Sequence, residues 1–92
     1  HNTRGMGPAN VFSALRQGVA IFDTSLGGLG GCPFIPGARG NIATEDTVLM
    51  LHEMKLKTGV DLDRLSRAGL PFETFLGKTF QTVASNLKRP PC

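Results

Sequence analysis

The stretch Val19-Ala20-Ile21-Phe22-Asp23 runs through Thr24-Ser25-Leu26 into Gly27-Gly28-Leu29-Gly30-Gly31-Cys32-Pro33-Phe34. A short apolar run rich in β-formers, bounded by Gly18 and by a glycine loop, reads as a fully buried strand of the parallel kind. Asp23 and Ser25 then fall at its C-terminal end. The loop that follows has few side chains of its own to pack, so its conformations exchange easily and its backbone N–H groups can approach a ligand closely. Gly28, Gly30 and Gly31 are the candidate positions for that approach, and Cys32 is the one reactive side chain among them.

Working outward, Gly7-Pro8 followed by Ala9 to Gln17 predicts a helix over 8–17. Proline suits a first turn, Val11, Phe12 and Leu15 share a face, and Gly18 supplies the stop. On the other side, Pro36-Gly37-Ala38-Arg39-Gly40-Asn41 leads to Thr44-Glu45-Asp46, an N-cap with acidic residues in the first turn. Val48, Leu49, Leu51, Met54 and Leu56 continue that helix to Gly59. Asp61 caps a shorter helix through Arg67, ended by Gly69 and Pro71, and Phe72 to Asn86 adds helical turns around Gly77. The tail Lys88-Arg89-Pro90-Pro91-Cys92 is expected to fray.

Helix, buried strand, long glycine-rich loop, helix is the order found at the end of a barrel of alternating strands and helices, where strand C-termini and their loops form the site. The expected fold is therefore α/β, the C-terminal portion of a (β/α)8 TIM barrel. One domain spans 1–92, with the barrel end over 1–69, its catalytic loop over 27–41, and a helical tail over 70–92. The 12 Gly and 6 Pro leave few residues for a core, and the chain opens on His1 rather than Met. Both features lead us to expect the C-terminal piece of something longer.

Composition narrows the function. Hydrophobic residues make up 40% and charged residues 18%, ordinary for a globular protein. No apolar run approaches the length of about 18 residues that crosses a bilayer, which argues against a membrane partner. The net charge of +3 comes from scattered basic residues, and Tyr and Trp are absent, which argues against nucleic acid. The two cysteines form no CxxC pair and have no histidine at zinc-finger spacing, so reduced thiols in a cytosolic or organelle-matrix compartment are expected.

Among candidate chemical groups, Cys32 reads either as an acid, base or nucleophile on a loop that closes over substrate, or as a small hydrophobe in a turn. The glycine density on both sides favours chemistry. Nucleotide motifs fail, because no Gly-Lys-Ser/Thr ending is present and the third glycine of a dinucleotide fingerprint is missing. His1 reads as a metal ligand at a strand terminus or as a solvated side chain. Asn41 offers an amide oxygen to Mg2+ or Mn2+, or serves as a turn residue beside Gly40. Asp23 orients a metal ligand or caps the strand end. His52 receives no role, and Cys92 is expected to be a free thiol.

The motifs Gly-Gly-Leu-Gly-Gly-Cys-Pro-Phe at 27–34, Gly-Ala-Arg-Gly-Asn at 37–41, Ala-Thr-Glu-Asp at 43–46 and Thr-Gly-Val-Asp-Leu at 58–62 closely resemble the C-terminal part of the 3-hydroxy-3-methylglutaryl-CoA lyases. His-Asn-Thr-Arg-Gly at the start resembles their bacterial-type branch, and the similarity runs to about Gly69. The resemblance implies a TIM-barrel lyase that cleaves 3-hydroxy-3-methylglutaryl-CoA to acetyl-CoA and acetoacetate with a divalent cation, Mg2+ or Mn2+. It implies that His1 matches the second histidine of a His-x-His metal pair, Asn41 the asparagine ligand, Cys32 the catalytic loop cysteine, and Glu45 the acid just after that asparagine. The first histidine, the metal-binding aspartate and an arginine of the family lie upstream of His1, so the chain alone is expected to be inactive. Pro8 and Arg39 also depart from the family pattern without removing a ligand.

The partner implied is an acyl-CoA substrate, with a homodimer as the expected assembly. The compartment is the bacterial cytoplasm, or the mitochondrial matrix for a eukaryotic source. Two other readings stay open: a sister acyl-CoA lyase or aldolase of the same superfamily, and a non-catalytic remnant that keeps a CoA- or partner-binding surface.

Overall fold

The computed structural model describes residues 1–30 and 40–84. Their elements are α1 Gly7–Arg16, a 3-10 turn Leu26–Gly28, α2 Thr44–Glu53, α3 Leu62–Ala68 and α4 Leu70–Leu76. Helix α1 lies one residue from its expected bounds, with proline in its first turn. Its first amide is satisfied from upstream, where Gly7 N donates to Asn2 Oδ1 at 2.9 Å. Gly18, at φ +93°, turns the chain away after it.

The run 19–23 departs from the expected strand. It forms no strand, and Val19 and Ile21 are 45% and 88% exposed. A parallel strand is stabilised by neighbours in the sheet and by helices on both faces. Among the described residues no strand lies beside this run, so its apolar side chains remain at the surface. What survives of a sheet is a single parallel bridge between Ser25 and Ala43. There Ser25 N donates to Ile42 O at 3.0 Å, and Thr44 N donates to Ser25 O at 2.9 Å.

Helix α2 is shorter than the hydrophobic pattern predicts, and its cap differs. The N-cap is Ala43, with no side-chain cap bond. Thr44 has entered the helix, and its hydroxyl pairs instead with that of Thr24 at 2.6 Å. The helix stops at Glu53 rather than near Gly59, because Lys55 takes a left-handed φ of 64° and Leu56 N donates back to Leu51 O. Met54 and Leu56 consequently lie at the surface, 37% and 43% exposed. His52 is not merely solvated, since its Nε2 lies 2.8 Å from Thr58 Oγ1 and ties the following loop to the helix.

Asp61 caps α3 as expected, its Oδ1 accepting from Arg64 N at 3.1 Å. Pro71 does not end a helix but sits in the first turn of α4, where its missing N–H costs nothing. Gly77, left-handed at φ 68°, closes α4. The chain then folds back: Phe80 N donates to Glu73 Oε1 at 2.9 Å, and Ala84 N donates to Asp46 Oδ1 at 3.1 Å. Phe80 and Ala84 thereby join Val11, Ile42, Ala43 and Val48 in a small core around α2. The tail Lys88 to Cys92 lies outside the described residues. Among the described residues no helix is long and apolar enough to cross a membrane.

Candidate functional site

The Ser25–Ala43 bridge brings the base of the glycine loop against the start of α2. From this junction the 3-10 turn projects, closed by Gly28 N donating to Ser25 O and Leu29 N donating to Leu26 O. Gly27 and Gly28 have φ values of 63° and 72°, a conformation that a side-chain-bearing residue adopts only under strain.

Glu45 accounts for the next constraint. Its side chain is 2% exposed, and its two oxygens accept from Gly27 N at 2.9 and 3.0 Å. A carboxylate buried without partners would be strongly unfavourable. Here it also lies in the first turn of α2, where the positive end of the helix favours it. Its observed role is to hold the turn at Gly27.

Asn41 lies on the other side of the same turn. Its Nδ2 donates to Leu29 O at 2.8 Å, and Ser25 Oγ donates to that carbonyl from a second direction at 2.8 Å. Gly30 must stay bare beside it, because a Cβ there would lie 2.7 Å from Asn41 Nδ2. The amide nitrogen donates to Leu29 O, and Oδ1 is the amide's acceptor atom, the hard kind of donor that Mg2+ or Mn2+ prefers. The residue opens on a cleft of about 550 Å3 that Asn2, Gly28 and Asp46 also line.

His1 belongs to the neighbouring backbone segment. Asn2 N donates to Gly40 O at 3.0 Å, so His1 and Asn41 flank the two ends of one hydrogen bond. His1 nevertheless lines a separate cleft of about 260 Å3 with Asp23, Val11 and Ile42. Asp23 is exposed there and is not packed as a buried strand-end cap. Among the described residues no three His, Cys, Asp or Glu side chains gather as a metal cluster. The His1 imidazole and the Asn41 amide oxygen are each of a chemistry that suits a divalent ion, but the two residues line different clefts. Cys32 and Gly31 lie outside the described residues.

Sequence reasoning missed two contributors, the Asn2 side chain that caps α1 and the Phe80 ring that lies against Gly27. Asn2 carried a readable signal, a short polar side chain five residues ahead of a proline-started helix. No periodicity marks Phe80.

The HMGL-like family model matches residues 1–70. The chain belongs to the HMGL-like family. A hydroxymethylglutaryl-CoA lyase of Pseudomonas mevalonii is 52% identical over 77 residues, 84% of this chain and 26% of its own length. The crystal structure of the Bacillus subtilis HMG-CoA lyase superposes with a TM-score of 0.88 at 46% identity, over 97% of this chain and 30% of that one. An HMG-CoA lyase from Acinetobacter baumannii, solved in complex with coenzyme A and 3-methylmalate, gives 0.85 at 44% identity, over 100% of this chain and 32% of that one. The chain spans about a quarter of the length of the curated relatives it matches. Its fold is that of part of the lyases' α/β barrel. The extended run that lacks a strand beside it and the parallel bridge are both features of such a part.

Proposed function

We propose that this chain supplies one side of the active site of a divalent-metal-dependent carbon–carbon lyase that cleaves 3-hydroxy-3-methylglutaryl-CoA to acetyl-CoA and acetoacetate. The observation that carries the reading is Asn41, whose amide nitrogen is pinned to Leu29 O and whose amide oxygen is of the hard kind that suits a divalent cation. Family membership and the lyase names of relatives near 50% identity supply the reaction. The coenzyme A in the Acinetobacter lyase supports an acyl-CoA substrate.

In this reading His1 and Asn41 hold a Mg2+ or Mn2+ ion together with ligands from elsewhere in the barrel. When bound, that ion acts as a Lewis acid toward the substrate's oxygens. Transfer of the hydroxyl proton to a base supplied from elsewhere in the barrel allows the carbon–carbon bond to break, its electron pair passing to acetyl-CoA as an enolate. Cys32 gives that enolate its proton. Asp23, beside His1, orients the imidazole. The backbone of Gly28, Gly30 and Gly31 lets the substrate approach without steric hindrance. The reading sets the protein in the cytoplasm of a bacterium, or in the mitochondrial matrix for a eukaryotic source; relatives near half identity include bacterial lyases and vertebrate cytoplasmic and mitochondrial ones.

The test is release of acetoacetate from 3-hydroxy-3-methylglutaryl-CoA with Mg2+ or Mn2+, on this chain and on a chain extended upstream of His1. Activity in the extended chain alone is the expected result. A folded extended chain that binds the metal and releases no acetoacetate contradicts the reading in favour of a sister acyl-CoA lyase.

A further inference from the structure

We infer that Phe80 is a positioning residue of the candidate site: with Glu45 it grips Gly27, fixing the 3-10 turn whose following carbonyl, on Leu29, orients the Asn41 side chain. Phe80 lies beyond the residues 1–70 that the family model matches. Only the consequence for metal binding rests on the function proposed above.

The grip has two jaws. On one side the buried Glu45 carboxylate accepts the Gly27 N–H with both oxygens. On the other, the Phe80 ring is so close that a Cβ added to Gly27 would lie 2.5 Å from Phe80 Cδ2. The ring is itself fixed: Phe80 is 4% exposed, its backbone N–H is held by Glu73, and a Cβ on Gly69 would come within 3.2 Å of its Cε2. A glycine has no side chain to resist rotation, so a left-handed residue such as Gly27 keeps one conformation only if its surroundings impose it.

The turn passes that constraint on. Gly28 N and Leu29 N close it on Ser25 O and Leu26 O, which leaves Leu29 O aimed at two donors, Ser25 Oγ and Asn41 Nδ2. An asparagine amide has two orientations that differ only in which end faces the carbonyl. A fixed Leu29 O selects the one in which Nδ2 faces it. Removing the ring leaves Gly27 covered on one side only and lets Leu29 O wander, so Asn41 loses its selected orientation although Phe80 never touches it.

The experiment is 15N relaxation of the Asn41 side-chain amide in this chain, with Phe80→Ala, Phe80→Leu and Glu45→Gln. In the parent, the Nδ2 order parameter is expected near 0.85, the value of rigid groups, and in Phe80→Ala below about 0.6. Phe80→Leu, which still covers Gly27, retains the parent value, and Glu45→Gln, which keeps an acceptor for Gly27 N, falls between. Slow amide exchange in α1 and α2 reports that the fold is intact. An unchanged Asn41 order in folded Phe80→Ala overturns the proposal. If that variant unfolds, Phe80→Val is measured instead and decides by the same criterion.

A Mn2+ titration of the chain extended upstream of His1, which carries the full ligand set, read from paramagnetic broadening of Asn41 and His1, separates this inference from the function. The affinity is expected to fall about tenfold in Phe80→Ala, the size seen when a ligand loses its supporting shell. Broadening absent from the parent, with Asn41 order still dependent on Phe80, contradicts the metal reading and leaves the positioning intact. Mn2+ bound by the parent and bound with the same affinity by Phe80→Ala contradicts the positioning.

Discussion

Glu45 shows how much one side chain decides. Truncating it in Glu45→Ala leaves the half-buried Gly27 N–H without its acceptor, a loss on the order of 1–3 kcal/mol, measurable by urea denaturation. Asn41 behaves differently because it is half-buried and holds one neutral bond. Asn41→Ala should cost about 1 kcal/mol of stability, yet weaken Mn2+ binding by roughly 10–100-fold in a chain with the full ligand set. Cys32→Ser in that chain should lower turnover while leaving the metal affinity near its parent value. Equal and small effects from Asn41→Ala and Cys32→Ser contradict the roles given to both residues.

At the scale of elements, local chemistry was legible and tertiary chemistry was not. Helices α1 and α3 were readable because their signals are local: a proline in the first turn and a glycine stop for one, an Asp61 cap for the other. Asp61→Ala should therefore cost about 1 kcal/mol, read as lost helicity and a lower denaturation midpoint. The end of α2 was misread because Met54 and Leu56 continue the apolar spacing, while the turn at Lys55 depends on backbone closure to Leu51 that no side-chain pattern encodes. The strand over 19–23 was misread for the opposite reason. Its composition is that of a buried strand, but pairing is supplied by neighbours in space, and among the described residues none lies beside it. Of the candidate site, Asn41 and Glu45 were legible from the motif around them. Phe80 was not, because its role comes from the chain folding back after Gly77.

At the scale of the molecule, the core is small, and much apolar surface stays exposed, including Ile21 at 88% and Phe75 at 87%. An exposed extended run is a template for pairing with other chains. Ile21→Lys is accordingly expected to reduce self-association of this chain at equal concentration, read by sedimentation velocity, without lowering its helix content. The same surface, set within the rest of a barrel, is where neighbouring strands belong. The chain spans about a quarter of the length of its curated relatives, so in the proposed reading the remaining metal ligands come from elsewhere in the barrel.

The central claim, that these residues furnish a working side of a lyase site, is tested most directly by exchange. The corresponding quarter of the Pseudomonas mevalonii lyase is replaced with this chain, and Mg2+- or Mn2+-dependent release of acetoacetate from 3-hydroxy-3-methylglutaryl-CoA is measured beside an Asn41→Ala version. Cleavage by the chimera, lost in Asn41→Ala, is the predicted result; a folded, metal-binding chimera that releases no acetoacetate would contradict the account.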